Sequence, residues 1–247
     1  MKKAILFLLL IPTLLQGQIM EKVAKTTTTS AGAVVWRPSD YDANRNYPLV
    51  VFCAGIASRG AGTTTSLDLL LKGEVPLNLQ RACEKYKFIL IAPQTNDNYD
   101  SEIDFARNYA MGKYKIDVEH MGLFGFSLGG GDIVRYSLQA VNANKFSCIV
   151  PIAMTSQSGT WSNISSQKLA TWFFHNLNDD NAGTLSKFTD SAVAQINRTN
   201  PAVKATKTIF NANGHGGTAE ALNPDAPPIA PNGFGLTNPT MNTYEWF

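Results

Sequence analysis

Met121-Gly122-Leu123-Phe124-Gly125-Phe126-Ser127-Leu128-Gly129 is the stretch whose reading decides the fold. Its first six residues form a short apolar run of the kind that makes a buried strand. Its last five form the pattern G-x-S-x-G. Beyond it, Ile133, Val134, Tyr136, Leu138 and Val141 recur at helical spacing and predict an amphipathic helix over Leu128–Ala140. A five-residue pattern of small residues says little alone. A strand before it and a helix after it make it a sharp corner that lifts a serine hydroxyl above a sheet. In so tight a turn, side chains at Gly125 and Gly129 would strike neighbouring backbone. The amides opening the helix face the place where negative charge develops when that serine attacks a carbonyl.

Outward from this corner the same run recurs. Ala33–Trp36, Pro48–Cys53, Lys87–Ala92, Ser147–Ala153, Ala170–His175 and Ala205–Phe210 all read as strands. Helical patterns at Leu77–Lys85, Ser101–Met111 and Leu185–Asn197 lie between them. This alternation predicts an α/β fold, a mostly parallel sheet with helices on both faces, as one domain over residues 32–247. Residues 18–31, with Thr26 to Thr29, read as a polar N-terminal arm or edge strand. Pro224, Pro227, Pro228, Pro231 and Pro239 mark an irregular Pro-rich loop at 222–239.

Composition narrows the partners. With 44% hydrophobic residues and a formal charge of +2 over 247 residues, the chain is neither disordered nor an electrostatic match for nucleic acid. Lys2 and Lys3 followed by the apolar run Ala4–Leu15 read as a signal peptide over residues 1–17. The run is shorter than the roughly 20 apolar residues of a membrane-spanning helix. The expectation is an exported protein, periplasmic or extracellular, with no membrane partner once the signal is removed. Without Lys2 and Lys3, Lys+Arg falls from 21 to 19 and equals Asp+Glu, which points to an uncharged substrate rather than a polyanion. Cys53 and Cys148 fall in strand-like runs and read as buried thiols.

A serine nucleophile needs a base, and the chain has three histidines. His120 opens the apolar run that ends at Ser127; seven extended residues put it about 23 Å away, at the far end of the sheet. His175 ends an apolar strand and reads as a packed residue. His215, in Asn213-Gly214-His215-Gly216-Gly217 just past the last strand, can reach over the strand ends and is assigned as the base. The base needs an orienting acid, and Asp179 and Asp180 follow the strand ending at His175. Spacing does not choose between them. The order serine, acid, histidine is that of the α/β-hydrolases. No H-E-x-x-H spacing occurs, so neither a metal nor another cofactor is expected. Trp161, in a loop after a strand, is the candidate to stack on a sugar or aromatic acyl group; a tryptophan packed beneath that loop is the alternative.

On these residues the chain resembles the α/β-hydrolase superfamily. Within it, it is similar to secreted esterases that include acetyl-xylan and feruloyl esterases, polyhydroxybutyrate-depolymerase-like proteins and phospholipase/carboxylesterase-type enzymes. The resemblance runs from about Val34 to Phe247. It rests on Gly125–Gly129, Ile91-Ala92-Pro93-Gln94, the Arg59-Gly60 pair, the His175–Asp179 spacing, Gly214-His215 and the closing Tyr244-Glu245-Trp246-Phe247. It implies that Asp179 is the acid and that the backbone N–H groups of Ile56 and Leu128 form the oxyanion hole. The chain departs from the pattern at Ala54, where those families usually carry histidine. The resulting expectation is a serine esterase working through Ser127, Asp179 and His215 on a small-molecule or glycan ester. The alternatives are a peptidase or amidase of the same fold, or a binding protein that keeps the fold without the activity.

Overall fold

The computed structural model describes residues 18–225 and 242–247. The signal-peptide reading at 1–17 and most of the Pro-rich loop at 222–239 lie outside the described residues. Eight strands form one sheet: β1 (Ile19–Val23), β2 (Gly32–Arg37), β3 (Tyr47–Cys53), β4 (Ile89–Gln94), β5 (Ile116–Phe126), β6 (Cys148–Ile152), β7 (Ala170–Asn178) and β8 (Thr206–Asn213). Their order is β1-β2-β4-β3-β5-β6-β7-β8. The β1–β2 and β2–β4 pairings are antiparallel, and the β4–β3, β3–β5, β5–β6, β6–β7 and β7–β8 pairings are parallel. The arm of residues 18–31 is therefore an edge strand followed by a polar turn in which the Thr26 N–H donates to Thr29 Oγ1 at 2.8 Å.

Among the described residues there are seven α-helices: α1 (Leu77–Tyr86), α2 (Asp100–Lys113), α3 (Leu128–Ser137), α4 (Ser162–Ser166), α5 (Ser186–Asn197), α6 (Thr218–Ala221) and α7 (Thr243–Trp246). Because strand side chains alternate, the sheet builds two cores. Val35, Leu49, Val51, Ile91, Leu123 and Ile149 pack on one face against Ile103 and Ala106 of α2, Ile133 of α3 and Ala192 of α5. Val34, Val50, Phe52, Leu90, Phe124 and Val150 pack on the other against Leu79 and Ala82 of α1, Ala221 of α6 and Tyr244 of α7. Helices on both faces of a mostly parallel sheet are what the alternating runs predict. Among the described residues no helix is long and apolar enough to cross a membrane.

Two boundaries differ from the sequence expectation. β5 starts at Ile116, ahead of its apolar run, and Asp117, Glu119 and His120 lie in its exposed first half. Apolar patterning does not register a strand segment that projects beyond the core. α3 stops at Ser137 rather than Ala140, where the chain breaks into turns. Cys53, Cys83 and Cys148 are all buried free thiols. Burial pushes Cys53 and Cys148 well up, and Cys83 to about 12.

Candidate active site

The corner between β5 and α3 has the geometry its sequence demands. Ser127 sits at φ 57°, ψ −119°, a strained conformation for a residue with a side chain. Its N–H donates to the Ile152 carbonyl at 2.9 Å, and its carbonyl accepts from Gly131 N–H at 3.0 Å. A Cβ on Gly125 would lie 2.5 Å from the Gly129 carbonyl oxygen, and one on Gly129 2.1 Å from that of Cys53. Both positions touch backbone, so neither contact can relax by a side-chain rotation.

The close approach at Gly129 brings the loop after β3 against the corner. Gly55 passes beside Ser127, where an added Cβ would lie 3.5 Å from the serine Cβ. Ile56 then opens a short 3-10 turn, Ile56–Ser58. Neither the Ile56 nor the Leu128 backbone N–H has a protein acceptor among the described residues. The loop is held from below by Gln94, whose buried amide donates to the Ser58 and Ser66 carbonyls, each at 2.8 Å, and accepts from Gly62 N–H at 3.1 Å. Ala54 is fully buried at the start of this loop.

His215 enters from the loop after β8. That loop is tied to the end of β7: Gly214 N–H donates to the Asn178 carbonyl at 2.9 Å, and Asn176 Nδ2 donates to the Gly214 carbonyl at 3.1 Å. The imidazole stacks on Phe126, the residue before Ser127. His215 Nδ1 meets Asp179 Oδ2 at 2.9 Å and Thr184 Oγ1 at 3.0 Å. A carboxylate only accepts, so Nδ1 carries the proton and Nε2 keeps a lone pair. Nε2 is buried and has no hydrogen-bond partner among the described residues.

Asp179, 5% exposed, accepts from Asn181 N–H at 3.0 Å and from the Thr184 hydroxyl at 3.2 Å. Burial raises its pKa, but the hydrogen bonds from His215 and Asn181 and the two neighbouring imidazoles hold it below the ordinary value. Asp180 is exposed. Of the two carboxylates that spacing leaves open, Asp179 turns inward at the strand end and meets His215, and Asp180 is exposed.

Trp161 is 7% exposed and packs in the core with Ile164 and Leu138. Of the two places open to it in the sequence, stacking surface or packed ring, the structure has the packed one: the loop folds the large apolar face inward. His120 pairs with Asp117 at 2.8 Å and lies edge-on to Phe247, away from Ser127.

The chain superposes on solved structures of low identity. One is a thermostable esterase, at TM-score 0.64 and 17% identity over 84% of this chain and 60% of the esterase. Another is a CE1 ferulic acid esterase from Anaeromyces mucronatus in complex with ferulic acid, at 0.56 and 18% over 83% and 88%. A third is a putative dipeptidyl aminopeptidase IV from Bacteroides ovatus, at 0.54 and 13% over 81% and 33%. The chain has the α/β-hydrolase fold. It spans less than two thirds of the thermostable esterase and one third of the putative aminopeptidase. No family model and no curated protein matches the sequence.

In this hydrolase fold the carboxyl ends of the parallel strands carry the candidate residues: Ser127 after β5, Asp179 after β7 and His215 after β8. Three contributors escaped the sequence reading. Phe126 reads only as a spacer in the motif and His175 as a packed strand end, and no pattern singles out Thr184. The four-residue separation of His175 and Asp179 was the one visible signal.

Proposed function

We propose that this protein is an exported serine hydrolase that cleaves carboxylic esters, with Ser127 as nucleophile, His215 as base and Asp179 as the acid that orients it. The observation that carries the reading is the 2.9 Å contact between His215 Nδ1 and Asp179 Oδ2, which leaves Nε2 unpartnered on a ring stacked against Phe126, the chain neighbour of Ser127. Asp179 holds the tautomer in which Nε2 accepts a proton.

The reaction follows in two steps. His215 Nε2 takes the Ser127 hydroxyl proton as Oγ attacks the ester carbonyl. The oxyanion is received by the N–H groups of Ile56 and Leu128, each worth about 3 kcal/mol in comparable sites. The C–O bond breaks, the alcohol leaves with the proton from His215, and an acyl-Ser127 ester remains. Water, deprotonated by His215, then releases the acid and restores the serine. The substrate we favour is an uncharged small-molecule or glycan ester. Support comes from the neutral balance of the chain without its leader and from the esterases that share the fold.

The test is labelling with a fluorophosphonate, followed by turnover of p-nitrophenyl acetate, acetylated and feruloylated glycans, and peptides. Labelling at Ser127 with ester turnover is the expected result. Labelling with peptide turnover alone would move the reading to a peptidase, and no labelling of folded protein would leave a binding protein.

A further inference from the structure

His175 carries more than packing. It is fully buried at the end of β7, and both ring nitrogens are engaged. Its Nε2 meets Asp179 Oδ2 at 3.0 Å and also contacts the Thr184 carbonyl. Both partners are acceptors, so Nε2 carries the proton, and Nδ1 accepts from the Thr189 hydroxyl of α5 at 2.9 Å. Two imidazoles thus converge on one carboxylate oxygen, at 3.0 Å from the inside and 2.9 Å from the site.

We propose that His175 is a positioning residue for the Asp179–His215 pair, its Nε2–H fixing the rotation of the Asp179 carboxylate so that Oδ2 faces His215. The proposal rests on the functional reading above and adds the residue that sets its acid. With Oδ1 held by Asn181 N–H and Oδ2 by His175, rotation about the carboxylate bond breaks a hydrogen bond at either oxygen. An apolar residue at 175 would leave Oδ2 without its inner donor and the Thr184 carbonyl without a partner. A permanently charged lysine or arginine would neutralise the carboxylate that must stabilise the His215 imidazolium. A neutral imidazole donates without that cost, and burial lowers the His175 pKa, favouring the neutral form. The titratable groups facing Asp179 among the described residues are these two histidines. α5 contributes Thr189, and the turn after β7 contributes Thr184; neither titrates.

Three histidines in the sequence make the test direct. Imidazole nitrogen spectra of 15N-histidine-labelled full chain are recorded for wild type, His175→Met and His175→Gln across pH, beside kcat, KM and the fluorophosphonate labelling rate. Wild type is expected to show His215 as the Nδ1–H tautomer and His175 as the Nε2–H tautomer. In His175→Met the unshielded Asp179 carboxylate attracts the His215 proton more strongly. The His215 titration and the acid limb of kcat/KM therefore move to higher pH. Lost orientation lowers kcat by about 10- to 100-fold with little change in KM. His175→Gln, whose amide N–H reaches the Nε2 position, restores the titration, the limb and most of kcat. If His175→Met fails to fold, Thr189→Val frees the ring and is expected to shift the same signals in the same direction. An unchanged His215 titration in folded His175→Met or, where that variant does not fold, in Thr189→Val overturns the proposal, whatever the activity. Shifted spectra in the variants, together with a wild type that neither labels nor turns over esters, would keep the coupling and reject the esterase reading.

Discussion

Phe126 lies against the imidazole of His215, with ring centroids 4.9 Å apart and planes inclined at 27°. The residue just before the strained serine therefore also packs against the ring proposed as the base. Aromatic pairs of this kind contribute about 0.5–1.5 kcal/mol beyond burial. Phe126→Ala is expected to lower kcat about 2- to 10-fold on an ester substrate, by the usual conversion of barrier to rate. Phe126→Tyr should retain most of it. Equal kcat for Phe126→Ala and wild type would remove the ring from the mechanism.

Asp179→Asn and Asp180→Asn, compared side by side, separate the buried carboxylate from its exposed neighbour. An amide at 179 can offer His215 a donor where it needs an acceptor, so the tautomer with a free Nε2 is lost. A drop of about 10,000-fold in kcat is expected for Asp179→Asn, with Asp180→Asn at wild-type level. Equal losses would show that the two carboxylates share the role.

The corner glycines set a steric test. Gly129→Ala forces a Cβ to 2.1 Å from the Cys53 carbonyl oxygen, so backbone must move on both sides. A loss of about 1–3 kcal/mol in urea unfolding is expected, at the upper end for a contact with rigid backbone, together with lost labelling of Ser127. Gly112→Ala, in α2 with nothing within 4 Å, is the control and should be neutral or stabilising by up to about 1 kcal/mol.

His175 makes stability depend on pH. Burial lowers its pKa from 6.5, so the folded protein binds its proton more weakly than the unfolded chain does. Its contribution is complete above pH 6.5 and is lost as pH falls through the lower folded value. The depressed Asp179 carboxylate has the same sign but acts below 3.8, a separate window. Melting temperature is therefore expected to fall as pH drops below 6.5, and this fall should flatten in His175→Gln. A parallel decline in both proteins would assign it to other groups.

The three buried thiols should be inert in the native state. Burial raises the pKa of each, so few thiolates form at neutral pH. Ellman's reagent is expected to find no thiol in folded protein and three after unfolding in guanidinium. Fast native labelling would place at least one cysteine at the surface.

The elements legible in the sequence are those whose signal is local. β3, β4, β6 and β7 follow continuous apolar runs because strands buried on both faces need apolar residues at every position. α1, α2 and α5 follow their amphipathic spacing to within a residue or two. The first half of β5 was hidden because Asp117, Glu119 and His120 project into solvent and leave no apolar trace. At the site, Gly125, Ser127 and Gly129 were legible as a steric requirement, and His215 by its place after the last strand.

The chain alone thus determined a parallel α/β sheet, the strained turn at Ser127 and the histidine placed after β8, because these rest on spacing, backbone sterics and burial of nearby residues. The burial of Asp179 against His215 beside an exposed Asp180, the inward turn of Trp161, the ring of Phe126 under His215 and the second imidazole on Asp179 were decided only by the tertiary structure. Each depends on which way one side chain turns, and partners distant in the chain take part in setting it: Thr189 lies 14 residues from His175, and Phe126 lies 89 from His215. Local patterning records whether a residue is buried. It does not record which atom it meets there.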